Sequence, residues 1–115
     1  MQRDKDRLKD ILAATIDIGV FVEGLDFESF LEEREKRYSV LYALTIVGEA
    51  SNHVSPDLRA RHVVIPWRSI IDFRHRVVHG YSDLDLELVW QVAINLVPAL
   101  REQIQAVLAI EYPDA

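Results

Sequence analysis

Apolar positions recur along this chain at intervals of three and four residues, as in helices that each bury one face. Leu8, Ile11, Leu12, Thr15, Ile18 and Val22 form such a stripe and predict a helix over residues 3–23. Gly24 ends it, because glycine takes the left-handed conformation after a helix without steric cost. Asp26 reads as the N-cap of a short helix over 27–33, whose Phe27, Phe30 and Leu31 would lid a bundle. A second long helix spans 34–53 with Tyr38, Leu41, Tyr42, Thr45 and Val47. Its small residues Ala43, Gly48, Ala50 and Ser51 let another helix approach closely. Glu49 and Asn52 continue the Tyr38–Leu41–Tyr42–Thr45 face, where a polar contact inside or between subunits is expected. Ser55 and Pro56 open a short helical turn as cap and first residue. Pro66 does the same for a third long helix, which Gly80 stops. Asp83 or Asp85 caps the last helix, which runs to 111 with Leu86, Val89, Val92, Ala93, Leu96, Leu100, Ile104, Val107 and Leu108 inward. Pro98 lies within that pattern and removes a backbone donor, so a kink or break is expected there.

Four main amphipathic helices with short connections predict an all-α fold, an antiparallel four-helix up-and-down bundle with short extra helices. At 115 residues, half of them apolar, the chain makes one domain, 1–115, around one modest core. Trp67 and Trp90 read as core residues. The apolar content is generous for a bundle of this size, which predicts a homodimer burying a further helix face. There is no cysteine, so disulfides and thiolate zinc sites are excluded and a reducing cytoplasm is expected. The charged start is no signal peptide, and no apolar run reaches the ~18 residues of a membrane span.

Charge changes the picture only where it is concentrated. The net charge of −6 argues against nucleic acid. Residues 59–79, however, hold five arginines and three histidines against one acid, Asp72, while the rest holds eight basic and eighteen acidic residues. All of the local excess is arginine, the residue suited to bidentate phosphate contact. Arg68 and Arg76 are the candidates for gripping such a backbone.

The densest chemistry lies between Trp67 and Tyr81. Trp67, Ile70, Ile71, Val77 and Val78 share a helix face, and Arg74 falls on the same stripe where a core helix would place leucine. Histidine exchanges protons near neutral pH, and arginine stabilises phosphoryl oxygens with a rigid fork of donors. Arg74 with His75 and His79 thus suffices to cleave RNA without metal, the nucleophile being the substrate's own 2′-OH. Geometry sets a limit: five positions put Arg74 and His79 about 140° apart on a regular helix. Either His79 sits on a distorted last turn, or a second copy of the chain completes the site. His75 and His79 at i, i+4 are a weak metal pair, lacking a third ligand at suitable spacing; no metal and no cofactor are expected. The plainer reading is a basic solvent-facing helix with one buried arginine paired to an acid such as Glu49.

Arg74-x4-His79 followed by Gly80-Tyr81 resembles the RX4HXY signature of the HepT-like branch of the HEPN superfamily, the toxins of HepT/MntA toxin–antitoxin modules. The start at Arg3–Leu8, the Glu23–Phe27 turn, Ile46-Val47-Gly48-Glu49-Ala50, Ser55-Pro56, Ile65-Pro66-Trp67 and Val89-Trp90 also read like that family's landmarks. The resemblance implies a HEPN-like bundle, a homodimer with the motif near its interface, and metal-independent endoribonuclease activity with Arg74 and His79 as the catalytic pair. His75 takes the polar position after the arginine, often Asn or Asp in relatives; His75, Arg76 and Glu49 are site-supporting candidates. Tyr81 matches the tyrosine to which the cognate minimal nucleotidyltransferase antitoxin adds AMP. An adenylate there would bring bulk and negative charge beside Arg74 and His79 and repel an RNA phosphate.

Two functions follow. The first is the toxin of a type VII-like module, an endoribonuclease neutralised by AMP addition to Tyr81. The second is a non-catalytic HEPN subunit that docks a nucleotidyltransferase and binds nucleotide. Docking alone would not require Arg74, His79 and Tyr81 together.

Overall fold

The computed structural model describes residues 2–114, the side chains of Gln2 and Tyr81 excepted. Every regular element among them is helical. The order is α1 (Gln2–Val22), α2 (Phe27–Glu32), α3 (Arg34–His53), α4 (Pro56–Arg61) and α5 (Trp67–His79), then a 3₁₀ turn (Tyr81–Asp83), α6 (Leu86–Gln91), a π-helical segment (Val92–Leu96) and α7 (Val97–Glu111). Local chemistry sets these boundaries. Gly24 leaves α1 at φ 77°. The Asp26 side chain accepts from the Ser29 N–H, Ser55 from the Leu58 N–H, and Asp85 from those of Glu87 and Leu88. Asp85, not Asp83, therefore caps the last helix. Pro66 sits one place earlier than expected, as the N-cap of α5 rather than its first residue.

Helices α1 and α3 pack against each other, with α5 against α3 and α7 against α1. The core joins Leu8, Ile11 and Ile18 of α1 to Val40, Leu44 and Val47 of α3 and to Val97, Leu100 and Ile104 of α7. Phe30 of α2 is fully buried with its ring centroid 5.1 Å from that of Trp90, so α2 closes the bundle against α6. Trp67 and Trp90 are core residues as expected, and the Trp67 indole donates to the His62 carbonyl at 3.0 Å.

Two faces differ from the sequence reading. On α3 the buried stripe is Val40–Ala43–Leu44–Val47–Ala50, while Tyr38 and Tyr42 point outward. The small residues Ala43, Gly48, Ala50 and Ser51 are all buried with this stripe, and at Gly48 the neighbouring helix comes too close for any side chain. On the last helix Leu96 is 60% exposed and Val97 is buried instead. Pro98 is the cause: it has no N–H to give, and the chain widens into a π turn in which the Val97 N–H reaches the Val92 carbonyl. Helix continues on both sides of Pro98, with the π turn as the local distortion there, and the inward face takes Val97 in place of Leu96 while Leu100, Ile104 and Val107 stay inward as expected.

Polar clasps hold the ends. Asp4 is 5% exposed, and its carboxylate accepts from the Ser55 N–H at 2.9 Å and the Ser55 hydroxyl at 2.7 Å. Glu111 accepts a two-pronged grip from Arg61, at 2.8 and 3.2 Å, and lies 2.7 Å from His62 Nε2. The Arg61 guanidinium, and after it His62, pulls the Glu111 carboxyl from its ordinary 4.5 down to about 2. No helix among the described residues is long and apolar enough to cross a membrane.

Candidate active site

Helix α5 meets α3 unusually closely. A Cβ built on Gly48 would lie 2.1 Å from Arg74 Cβ and 2.6 Å from Arg74 Cγ. No other residue at 48 fits while α5 stays where it is. The contact fixes the root of the Arg74 side chain and directs its head along α3 toward Glu49, one residue on.

Arg74 Nη2 lies 2.9 Å from Glu49 Oε2, in a pair whose side chains are 27% and 51% exposed. Arg74 Nε is buried and makes no hydrogen bond. The acid partner named from the sequence is thus present, yet the arginine is not sealed in. Its head lines an open groove of about 440 Å³ with Arg7 and Asp10 of α1, Tyr42, Thr45, Glu49 and His53 of α3, and Val78 of α5. A half-exposed pair of this kind is worth only about 0–1 kcal/mol.

His79 is placed differently. Helix α5 is regular through His79, and Gly80 closes it by donating to the Arg76 carbonyl at 2.9 Å. The expectation of a distorted last turn is therefore incorrect: the Gly80 turn forms only after the histidine. Arg74 and His79 keep their wide angular separation, and His79 is not among the residues lining the groove. Its ring stacks on that of His75, centroids 5.9 Å apart and planes at 16°. Both histidines are exposed, as are Arg68 and Arg76, and neither arginine has an ion-pair partner among the described residues. Arg68, His75, Arg76 and His79 thus give α5 a solvent-facing basic side, while Arg74 and Glu49 belong to the groove. The Tyr81 backbone opens the 3₁₀ turn after Gly80; its side chain lies outside the described residues. Asn52 is exposed.

One residue of the groove had no signal in the sequence. His53, the last residue of α3, sits one turn beyond Glu49. Its Nδ1 lies 2.9 Å from the Glu49 carbonyl oxygen and 3.7 Å from Glu49 Oε1. The i, i+4 spacing from Glu49 to His53 is the only trace, and that spacing alone is common on helices.

Comparison with known proteins returns one consistent family. The model described as Ribonuclease HepT-like matches residues 11–107. MJ1380 of Methanocaldococcus jannaschii, named as a candidate RNase, is 31% identical over 100 residues, spanning 87% of this chain and 92% of its own. A protein of Thermococcus cleftensis, named as a candidate ribonuclease HepT, is 34% identical over 97 residues, spanning 84% and 88%. A candidate RNase of Caldanaerobacter subterraneus is 27% identical over 90 residues, spanning 78% and 80%. No solved structure matches the chain.

Proposed function

The chain belongs to the Ribonuclease HepT-like family, and from that membership we propose that it is a metal-independent endoribonuclease. On this reading it is the toxin of a type VII-like toxin–antitoxin module, and a minimal nucleotidyltransferase antitoxin neutralises it by adding AMP to Tyr81. The observation that carries the reading is Arg74, held at its root by Gly48, open to a groove at its head, and restrained by one half-exposed carboxylate.

The chemistry needs little from the protein. The 2′-oxygen of the RNA attacks the adjacent phosphorus, a new O–P bond forms and the bond to the 5′ oxygen breaks. One group takes the 2′-OH proton and another gives a proton to the leaving oxygen. The products are a 2′,3′-cyclic phosphate and a 5′-OH. Arg74 stabilises charge on the five-coordinate phosphorus, and His79 serves as a proton-transfer group. Arg68 and Arg76 grip flanking phosphates, and His75, stacked on His79, orients it. Glu49 holds Arg74 until a phosphate arrives.

Since Arg74 and His79 face different ways in one copy, a homodimer completes the site. Tyr42 and Val78 support this: both line the groove beside Arg74, at 70% and 45% exposure, and leave an apolar rim uncovered. An adenylate on Tyr81, two residues beyond His79, would bring negative charge against the incoming RNA.

Purified Arg74→Ala and His79→Ala proteins are each expected to lose cleavage of tRNA or mRNA while keeping the parent's helical content and oligomeric state. A His79→Ala protein that cuts as fast as the parent overturns the assignment. Tight complex formation with a nucleotidyltransferase, but no cleavage by the parent, would favour the non-catalytic docking subunit. Incubation with that enzyme and ATP should add the mass of AMP at Tyr81, and a Tyr81→Phe protein should escape both the modification and the inhibition.

A further inference from the structure

We propose that His53 is a second catalytic histidine, the general base that takes the 2′-OH proton, with His79 as the acid. This rests on the ribonuclease reading above and adds a residue to it. Cleavage by transesterification needs a base and an acid in the same turnover, and one imidazole cannot be both. The sequence offers His75 and His79, but these stack on each other along the solvent face of α5. The histidine that shares the groove with Arg74 is His53.

Its surroundings suit a base. The Glu49 carbonyl oxygen, 2.9 Å from His53 Nδ1, can only accept, so Nδ1 carries the proton and donates. Nε2 is then the nitrogen with a free lone pair. When Nε2 takes a proton, the Glu49 carboxylate, 3.7 Å from Nδ1, stabilises the imidazolium. The same carboxylate reaches Arg74 through its other oxygen at 2.9 Å. One acid thus ties the phosphate-binding arginine and the base into one unit. If an incoming phosphate draws Arg74 away from Glu49, the carboxylate is left to the histidine.

The other charged groups on the groove are Arg7 and Asp10 of α1, which pair with each other at 3.4 Å. From α5 only Arg74 adds charge. The local field at His53 is therefore set by Glu49 and Arg74, and it changes when a phosphate binds.

The test compares the pH dependence of RNA cleavage, without metal, for the parent, His53→Ala, His53→Asn and Arg74→Ala. Asparagine can keep a donor toward the Glu49 carbonyl but does not titrate, so His53→Asn decides the matter if His53→Ala misfolds. Both His53 variants are expected to lower kcat about 10²- to 10⁴-fold with KM little changed, and to lose the acidic limb of the profile. Parent-like rate and profile in His53→Asn, with cleavage abolished in Arg74→Ala, overturns the role of His53 and leaves the ribonuclease reading standing. Full activity in Arg74→Ala, or none in the parent, overturns both.

Discussion

Gly48 and Arg74 meet at the carbon atoms nearest their backbones, where neither side can yield by rotating a side chain. Gly48→Ala must therefore move α5 off α3 or strain it in place. Overpacking of this sort costs about 1–3 kcal/mol. The loss should appear in a urea titration, and because Arg74 rides on the displaced backbone, cleavage should fall with it. Unchanged stability and activity in Gly48→Ala would mean that the two helices are not in this contact. The sequence showed part of this: a glycine among small residues announces a close helix approach, and an arginine on an apolar stripe announces a partner acid. His53 was hidden, because nothing in a linear pattern shows that a helix-end histidine shares a groove with an arginine twenty-one positions away.

Among the elements, the long helices and their caps were legible because each rests on local chemistry, namely Asp26, Ser55, Asp85 and the left-handed Gly24. The buried faces of α3 and the last helix were less so. Apolar residues run most of the way round α3, and its inner face is chosen by the shapes of α1 and α5. On the last helix, one proline changes the winding and exchanges Leu96 for Val97. The clasp between α4 and α7 carries its own prediction. The Glu111 carboxyl titrates near 2 in the fold against an ordinary 4.5. A depressed carboxylate contributes stability above its unfolded value and loses it as pH falls toward the folded one. The Tm advantage of the parent over Glu111→Gln should thus be full at neutral pH and shrink as pH falls from 4.5 to 2. A gap independent of pH across that window would show that the carboxylate is not held by Arg61 and His62 as described.

The described residues span 42 × 28 × 20 Å and leave Tyr42 and Val78 uncovered beside Arg74. On the proposed homodimer, a second copy across this face would supply a His79 to the groove that its own His79 does not line. Mixing inactive Arg74→Ala and inactive His79→Ala subunits should then restore cleavage, because one of the two shared sites becomes whole. No recovery from demonstrably mixed dimers would place both residues' action within one copy. The decisive measurement is simpler. Purified parent protein, stripped of metal with chelator, is incubated with RNA and the new ends are identified. Fragments ending in 2′,3′-cyclic phosphate, absent with His79→Ala, are the expected result; intact RNA, or the same fragments from both proteins, would contradict it.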